Sequence, residues 1–382
     1  MILKRFFKLF TSLRLTVVLL GMGIILVFWG TIAQVHLGLY KAQNDFFRSF
    51  FVFWEPKGSG LRIPIFPGGY LVGGLLILNL FAAHFRYYQP GKKKVGIILI
   101  HLGLVLLLFG QLLTDFLAVE STMHIRNGGI KNYSEAMRYY ELAIVDTSDP
   151  KTDKVVAIPG NLLAKQKEIS VPELPITIRV KRYFPNSSLV QTNLAGFDPV
   201  EITAGFGAGI FWKPLPHETE TDSRDMPSGT VEILTPQGSL GTYLVTAFLD
   251  QPQTFDVNGR HYEMFLRLER YYKPFSLQLV EFRHDKYAGT DVAKNFSSRV
   301  RLIRPDTGED REILIRMNTP LRYKGETYYQ ASFDPDNQGT ILQVVRNPGW
   351  LTPYLACVMV AAGLVTQFLS HLIGFATKRR SK

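Results

Sequence analysis

Three histidines of this 382-residue chain fall in or at the edge of long apolar runs. His84 and His101 flank a basic turn in "NLFAAHFRYYQPGKKKVGIILIHLG", which begins at Asn79, and His371 lies seven residues before Lys378. Imidazole is a poor lipid-facing group, and ionisable side chains within a membrane are costly and tend to be functional. The chemistry that suits neutral imidazoles there is ligation of a redox metal or a haem iron. The alternative is an interhelical hydrogen bond, with His371 snorkelling to the interface. Residue chemistry alone leaves both readings open. Asn79, little more than one turn from His84, could orient the imidazole, but helix packing is its plainer role.

The elements that position these residues follow from hydropathy. Four windows carry almost no charge: Leu15–Ala33, Gly68–Ala83, Val95–Leu117 and Leu351–Phe375. Each approaches the roughly 20 residues that a helix needs to cross a hydrocarbon core. The first is read as a retained span and not a cleaved leader, because its apolar run is long and two more spans follow.

The net charge of +11 invites a nucleic-acid reading until it is located. Residues 1–117 carry 12 Lys and Arg against 3 Asp and Glu, residues 118–348 carry 27 against 29, and residues 349–382 carry 4 against none. The basicity therefore flanks the spans, the large polar part is slightly acidic, and nucleic acid is excluded as the expected partner. Lys4, Arg5, Lys8 and Arg14 precede span one, Arg86 and Lys92–Lys94 separate spans two and three, and Lys378, Arg379, Arg380 and Lys382 follow span four. The positive-inside rule places these segments, and both termini, on the cytoplasmic side of a membrane that the chain is expected to cross four times. Trp29, Trp54 and Trp350 then fall at the outer boundary, where indoles concentrate. With Lys92 and Lys94 at the inner boundary and Tyr87 and Tyr88 in the interfacial belt, His84 and His101 sit roughly 10 Å inside it at 1.5 Å per residue. His371 reaches a similar depth on the fourth span.

Between spans one and two, Phe46, Phe47, Phe50, Phe51 and Trp54 recur at helical spacing up to Pro56, the pattern of an amphipathic helix in the outer interface or under the polar domain. Residues 118–348 read as a β-rich extracytoplasmic domain, an antiparallel sandwich or open barrel. Short β-branched and aromatic runs such as Val155–Ile158, Val231–Leu234, Met264–Leu268, Ser276–Phe282 and Thr340–Val345 alternate with turn signals such as "RPDTGED". Ala204–Gly229, rich in Gly, Pro and charge, reads as a long exposed loop. Residues 349–382 hold the fourth span and a basic tail.

Familiar catalytic signatures are missing: no G-x-x-x-x-G-K-[ST], no G-x-S-x-G and no H-E-x-x-H. The histidines of the polar domain, His124, His217, His261 and His284, are scattered without metal-ligand spacing. The single cysteine, Cys357, lies in span four, so the polar domain carries neither a disulfide framework nor a C-x-x-C motif.

Four stretches resemble the ResB family of system II cytochrome c biogenesis proteins: "SLRLTVVLLGMGIILVFWGTIAQ" at Ser12–Gln34, "ERYYKPFSLQLVEFRHDKYAGTDVAKNFSSRVRL" at Glu269–Leu302, "MNTPLRYKGETYYQASFDPD" at Met317–Asp336 and "QVVRNPGWLTPYLACVMV" at Gln343–Val360. The resemblance runs nearly end to end with the same four-span topology. It implies a part in moving haem b across the membrane and presenting it, reduced, to the Cys-x-x-Cys-His motif of apocytochrome c. It also implies a ResC-like (CcsA-like) membrane partner and a thiol-reducing, thioredoxin-like protein, with membrane lipid around the spans. In fused members the ResB half supplies one intramembrane histidine as an axial ligand of the haem iron, and the ResC-like half supplies the other. By position in the second span His84 matches that ligand. His101 and His371 receive no role from the resemblance and stay lesser candidates.

This chain lacks the Trp-rich haem-handling motif and the paired external histidines of the ResC-like half, so it is expected to be one subunit of a synthase-type complex and not an enzyme alone. Two other classes of function stay open: a membrane-anchored β-domain protein with a structural or sensor role, and a quinone-linked haem redox subunit using His101 or His371 as a second ligand.

Overall fold

The computed structural model of this protein describes residues 8–56, 60–87, 94–220, 223–290 and 293–380. Lys4, Arg5, Tyr88, Lys92, Lys93 and Lys382 lie outside the described residues, as do the side chains of Tyr87, Lys378 and Arg380. The chain divides into two compact units, one built from 1–119, 219–221 and 346–382 and the other from 120–218 and 222–345.

The first unit holds four helices long and apolar enough to cross a membrane. They are α1 (Leu13–Leu37), α2 (Gly69–Tyr87), α3 (Val95–Leu117) and α4 (Thr352–Arg380). Even α2, at 19 residues, reaches roughly 28 Å at 1.5 Å per residue. Ser12 caps α1 by accepting the Arg14 N–H at 3.2 Å. The helix stops at Gly38, whose φ of 77° suits glycine best.

Helix α3 is tied to α4 by glycines at a seven-residue interval, Gly96, Gly103 and Gly110, all buried. A Cβ on Gly96 would come within 2.8 Å of the Gln367 nitrogen and the Gly363 carbonyl oxygen of α4, and one on Gly103 within 2.7 Å of Val360. A Cβ on Gly363 would meet the Gly96 carbonyl at 2.7 Å in return. Without a hydrophobic driving force between helices in lipid, such backbone approach is how van der Waals contact is gained.

Between α1 and α2 the chain is helical over Leu39–Ala42 and continues as a wide π turn over Gln43–Phe47. It then turns into a hairpin, Phe51–Trp54 against Ile63–Pro67. The amphipathic helix expected through Trp54 is thus corrected: helix ends at Phe47. Alternation in "FVFW" buries Val52 and leaves its neighbours exposed, a strand's period of two. Phe46 and Val52 pack with Leu26 of α1, and Trp29 meets Phe46 and Phe66 edge-on.

The second unit is antiparallel β. One ten-stranded sheet runs in the order Glu309–Arg316, Ala293–Arg304, Arg260–Lys286, Ile130–Asp146, Val119–Arg126, Gly339–Arg346, Glu326–Phe333, Leu321–Tyr323, with Gln253–Val257 and Lys154–Pro159 on side branches. Its ends return toward each other at the bridge Arg316↔Thr319. This nearly closed barrel surrounds Met123, Leu277, Val300, Leu302, Tyr328 and Leu342. At the other end of its long strands the sheet faces a four-stranded one (Gly238–Thr246, Ser228–Thr235, Thr177–Phe184, Glu168–Ser170) across Leu142, Ile144, Ile178, Ile233 and Met264. The sandwich and barrel alternatives therefore each hold in one half.

One strand threads both cores. The 27-residue strand Arg260–Lys286 joins the runs expected as separate strands at Met264–Leu268 and Ser276–Phe282. Pro274 is tolerated because the ladder to Ile130–Asp146 breaks between Tyr272 and Leu277. Ala204–Gly229 is not loop throughout: Phe211–Pro214 pairs with Ser187–Val190, and Trp212 is fully buried against Phe184.

Charged pairs cover the sheet faces. Arg283 and Arg299 grip Glu281 at 2.7 and 2.9 Å, Lys181 bonds Glu232 at 2.8 Å, and Arg301 forks onto Asp310. These hydrogen bonds hold Glu281, Glu232 and Asp310 below their ordinary values. Carboxylates depressed on folding stabilise the fold above their unfolded pKa, and that contribution is lost as pH falls through the folded value. The melting temperature of the full chain in detergent should therefore drop as pH falls below about 4.5, the ordinary glutamate value. A curve flat to pH 3 would contradict this. For the helical unit, Gly103→Leu should lower the melting temperature by the few degrees that about 1–3 kcal/mol of overpacking implies. Gly21→Leu should leave it unchanged, since a Cβ there meets nothing within 4 Å.

Candidate functional site

Helices α2 and α3 meet sparsely, and a cavity of about 290 Å³ opens between them near the turn that joins them. Leu80, Ala83 and His84 face it from α2, and Ile97, Ile98 and His101 from α3, each set one helical face apart by three or four residues. Lys94 adds a cation at the start of α3, and Leu13 and Thr16 of α1 close one side. The two imidazoles stand 6.4 Å apart between ring centroids with their planes at 77°. Both rings are half-buried.

The face that α3 turns to this cavity is set by the glycine seam. His101 and Gly103 are two residues apart, or about 200° around a helix, so docking Gly103 on α4 turns His101 toward α2. Asn79 serves packing: its carboxamide oxygen accepts the Thr16 hydroxyl at 2.6 Å, and its nitrogen donates to the Phe10 and Ser12 carbonyls at 2.7 and 3.3 Å. Arg86 adds a second brace by donating to the Thr11 hydroxyl at 3.1 Å. Together they fix the α1 start against α2 and so hold the cavity's third wall.

His371 does not join the pair. Its Nε2 accepts a hydrogen bond from the Gln367 amide one turn earlier at 2.8 Å, and it is exposed on α4. Matching depth along three helices is not convergence, because the rotation of α4 is decided by its contact with Gly96 and Gly103. Periodicity does not mark Thr16 as a cavity residue; the signal for Lys94 is its place about two turns before His101.

The histidines of the β unit are each engaged locally. His124 meets Asp334 at 2.9 Å, His217 meets Asp225 at 2.5 Å, His261 meets Asp256 at 2.8 Å, and His284 Nδ1 meets Asn337 at 3.1 Å between Phe296 and Phe333. Among the described residues no group of three or more His, Cys, Asp or Glu could hold a metal ion.

For a haem iron the donor chemistry fits. Two imidazoles in a largely apolar slot, with Lys94 in the lining, would offer ring nitrogen to the iron and a cation to a carboxylate edge. The enclosed volume lies at the floor of the roughly 300–1,000 Å³ range for small-molecule pockets.

Residues 235–341 match the ResB-like family. That stretch is the second half of the β unit and does not reach His84 or His101. Protein NrfI of Wolinella succinogenes is 26% identical over 303 residues, which cover 78% of this chain and 29% of NrfI. The chain thus spans less than a third of that relative's length.

Asn79→Ala leaves backbone carbonyls of the α1 start without their donor. It should cost about 1–3 kcal/mol and loosen the cavity wall, read as faster maleimide labelling of Thr16→Cys in the Asn79→Ala background than alone. Equal labelling rates would contradict the bracing role. The likenesses are of two extents: residues 235–341 are similar to the ResB-like family, and 78% of the chain is similar to part of NrfI.

Proposed function

We propose that this chain is a membrane-bound factor of cytochrome c biogenesis, the ResB-like subunit of a complex that passes haem across the bacterial inner membrane to apocytochrome c. The observation that carries the reading is the histidine-lined cavity between α2 and α3 in a chain whose β unit matches the ResB-like family. In this reading His84 would hold the haem iron, and a ResC-like membrane partner would supply a second ligand. Bound haem supplies vinyl groups for thioether bonds to the two thiols of apocytochrome c.

The chain's own residues bind and orient. Ile97, Ile98 and Leu80 give the slot beside the two imidazoles an apolar lining. Lys94 offers the charge that keeps an acidic edge toward the basic turn. The β unit, placed outside the membrane by the positive-inside rule, holds the acceptor near the complex, and a thioredoxin-like protein keeps the acceptor's thiols reduced. Bringing two thiols and an activated haem together is a contribution of proximity, which needs no nucleophile from this chain.

The 6.4 Å approach of His101 to His84 favours a second reading, in which the lone chain holds haem between both rings. Expression with and without a ResC-like partner, purification in detergent and haem spectra of the parent, His84→Ala, His101→Ala and His371→Ala separate the two. The first reading expects haem in the complex, lost about tenfold or more in His84→Ala, regained when imidazole is added to His84→Gly, and retained in His371→Ala. Haem on the lone chain that is lost with either His84 or His101 supports the second. No haem under any condition contradicts both.

A further inference from the structure

A second cavity, about 440 Å³, opens at the opposite end of the same α2–α3 seam. Its lining divides by chemistry. Gly73, Gly74 and Ile77 of α2 face Leu108 and Leu112 of α3, while Arg48, Tyr70 and Asp115 gather at the polar end. Arg48 Nε lies 2.8 Å from one Asp115 oxygen and the Tyr70 hydroxyl donates to the other. The carboxylate is only 9% exposed and is balanced by the guanidinium, so this end is polar and neutral as a unit.

Two carboxamides in the lining remain unused. The side chains of Gln111, one turn before Asp115 on α3, and Gln43, on the π turn, make no hydrogen bond to any described residue. Both residues are exposed, so the two donors and one acceptor of each carboxamide are open to a ligand at the cavity; for Gln111, within an apolar span, an unpaired amide is costly. Gly73 and Gly74 make the same point from the apolar side. Glycine inside a helix costs about 1 kcal/mol against alanine, yet a Cβ at either position meets nothing within 4 Å. Helix packing does not require these glycines; they keep volume open.

We propose that this cavity binds a neutral amphiphile whose head carries carbonyl groups, the chemistry shared by membrane quinones and diacylglycerols. The amides of Gln43 and Gln111 donate to the head's carbonyls, and the glycine-floored slot takes the apolar body. An anionic head is disfavoured because drawing Arg48 away would strand a nearly buried Asp115. A cationic head would have to displace Arg48 from the same carboxylate. The inference is independent of haem and of His84.

The test uses the full chain in dodecylmaltoside, with decylubiquinone, dioctanoylglycerol and dioctanoylphosphatidylglycerol as probes, read by native mass spectrometry and by the shift in melting temperature. A saturable one-to-one adduct is expected with at least one neutral probe. It should weaken about tenfold or more in Gly74→Leu, which fills the slot, and in Gln111→Leu, which removes the amide from an already apolar helix. Gly21→Leu, on α1, should bind like the parent, and the phosphatidylglycerol should not displace the neutral probe. Adducts with decylubiquinone alone assign a quinone, and adducts with dioctanoylglycerol alone assign a glycerolipid. Absence of both adducts, binding unchanged in Gly74→Leu and Gln111→Leu, or displacement by phosphatidylglycerol would overturn the proposal.

Discussion

Backbone contact between α3 and α4 is the constraint on which the helical unit depends. Gly96, Gly103 and Gly110 bring the α4 backbone and Val360 so close that no side chain fits between, so α3 cannot rotate without losing the contact. Everything on the opposite face is thereby aimed at α2: His101 near the basic turn, and Leu108, Gln111, Leu112 and Asp115 farther along. Helix α2 is held elsewhere, by Asn79 on the α1 start. With each helix committed to a different neighbour, the seam between α2 and α3 stays open, and it is lined at both ends by groups that lipid would not tolerate.

The β unit solves a different problem. The 27-residue strand Arg260–Lys286 runs through both of its cores while the 17-residue strand beside it feeds the sandwich core, so a sandwich at one end and a nearly closed barrel at the other share one sheet. Buried polar pairs lie along and beside the ladder between these two strands. Arg267 meets Glu141 at 3.0 Å and Lys273 meets Glu326 at 2.5 Å, both pairs largely buried. Tyr328 packs beside Glu326 and donates to it at 2.7 Å; burial pushes its hydroxyl far above the ordinary phenol range, so it stays a donor. Removing one member of such a buried pair costs more than the pair contributes.

What the sequence made legible follows its periodicities. The four spans could be read because length and charge alone specify them. Most hairpins could be read because β-branched runs and Gly-containing turns mark them. The strand Ile130–Asp146 escaped notice because its first half, "IKNYSEAM", is polar on its outward face and carries few β-branched residues. The helix expected through Trp54 fails because the six aromatics in the nine residues Phe46–Trp54 fit a period of 3.6 as well as a period of two, and pairing with Ile63–Pro67 decides between them. At the site, His84 and His101 could be read as a pair from the hairpin between them, whereas excluding His371 required the rotation of α4. The second cavity draws Arg48, Tyr70 and Asp115 from three separate elements. Gln111 and Asp115 one turn apart in an apolar span were its one visible sign.

The central claim is that one slot holds both imidazoles, and a cross-linking measurement addresses it without haem or partner. In a Cys357→Ser background, which removes the chain's single cysteine, His84→Cys and His101→Cys together should be bridged within one chain by a short bifunctional methanethiosulfonate. Bridging would add one linker mass and block both thiols to maleimide, as expected for side chains whose rings lie 6.4 Å apart. The pair His84→Cys with His371→Cys should take two separate reagents instead. Failure of the first pair to bridge, or equal bridging of the second, would contradict the arrangement of α2 and α3 on which the account rests.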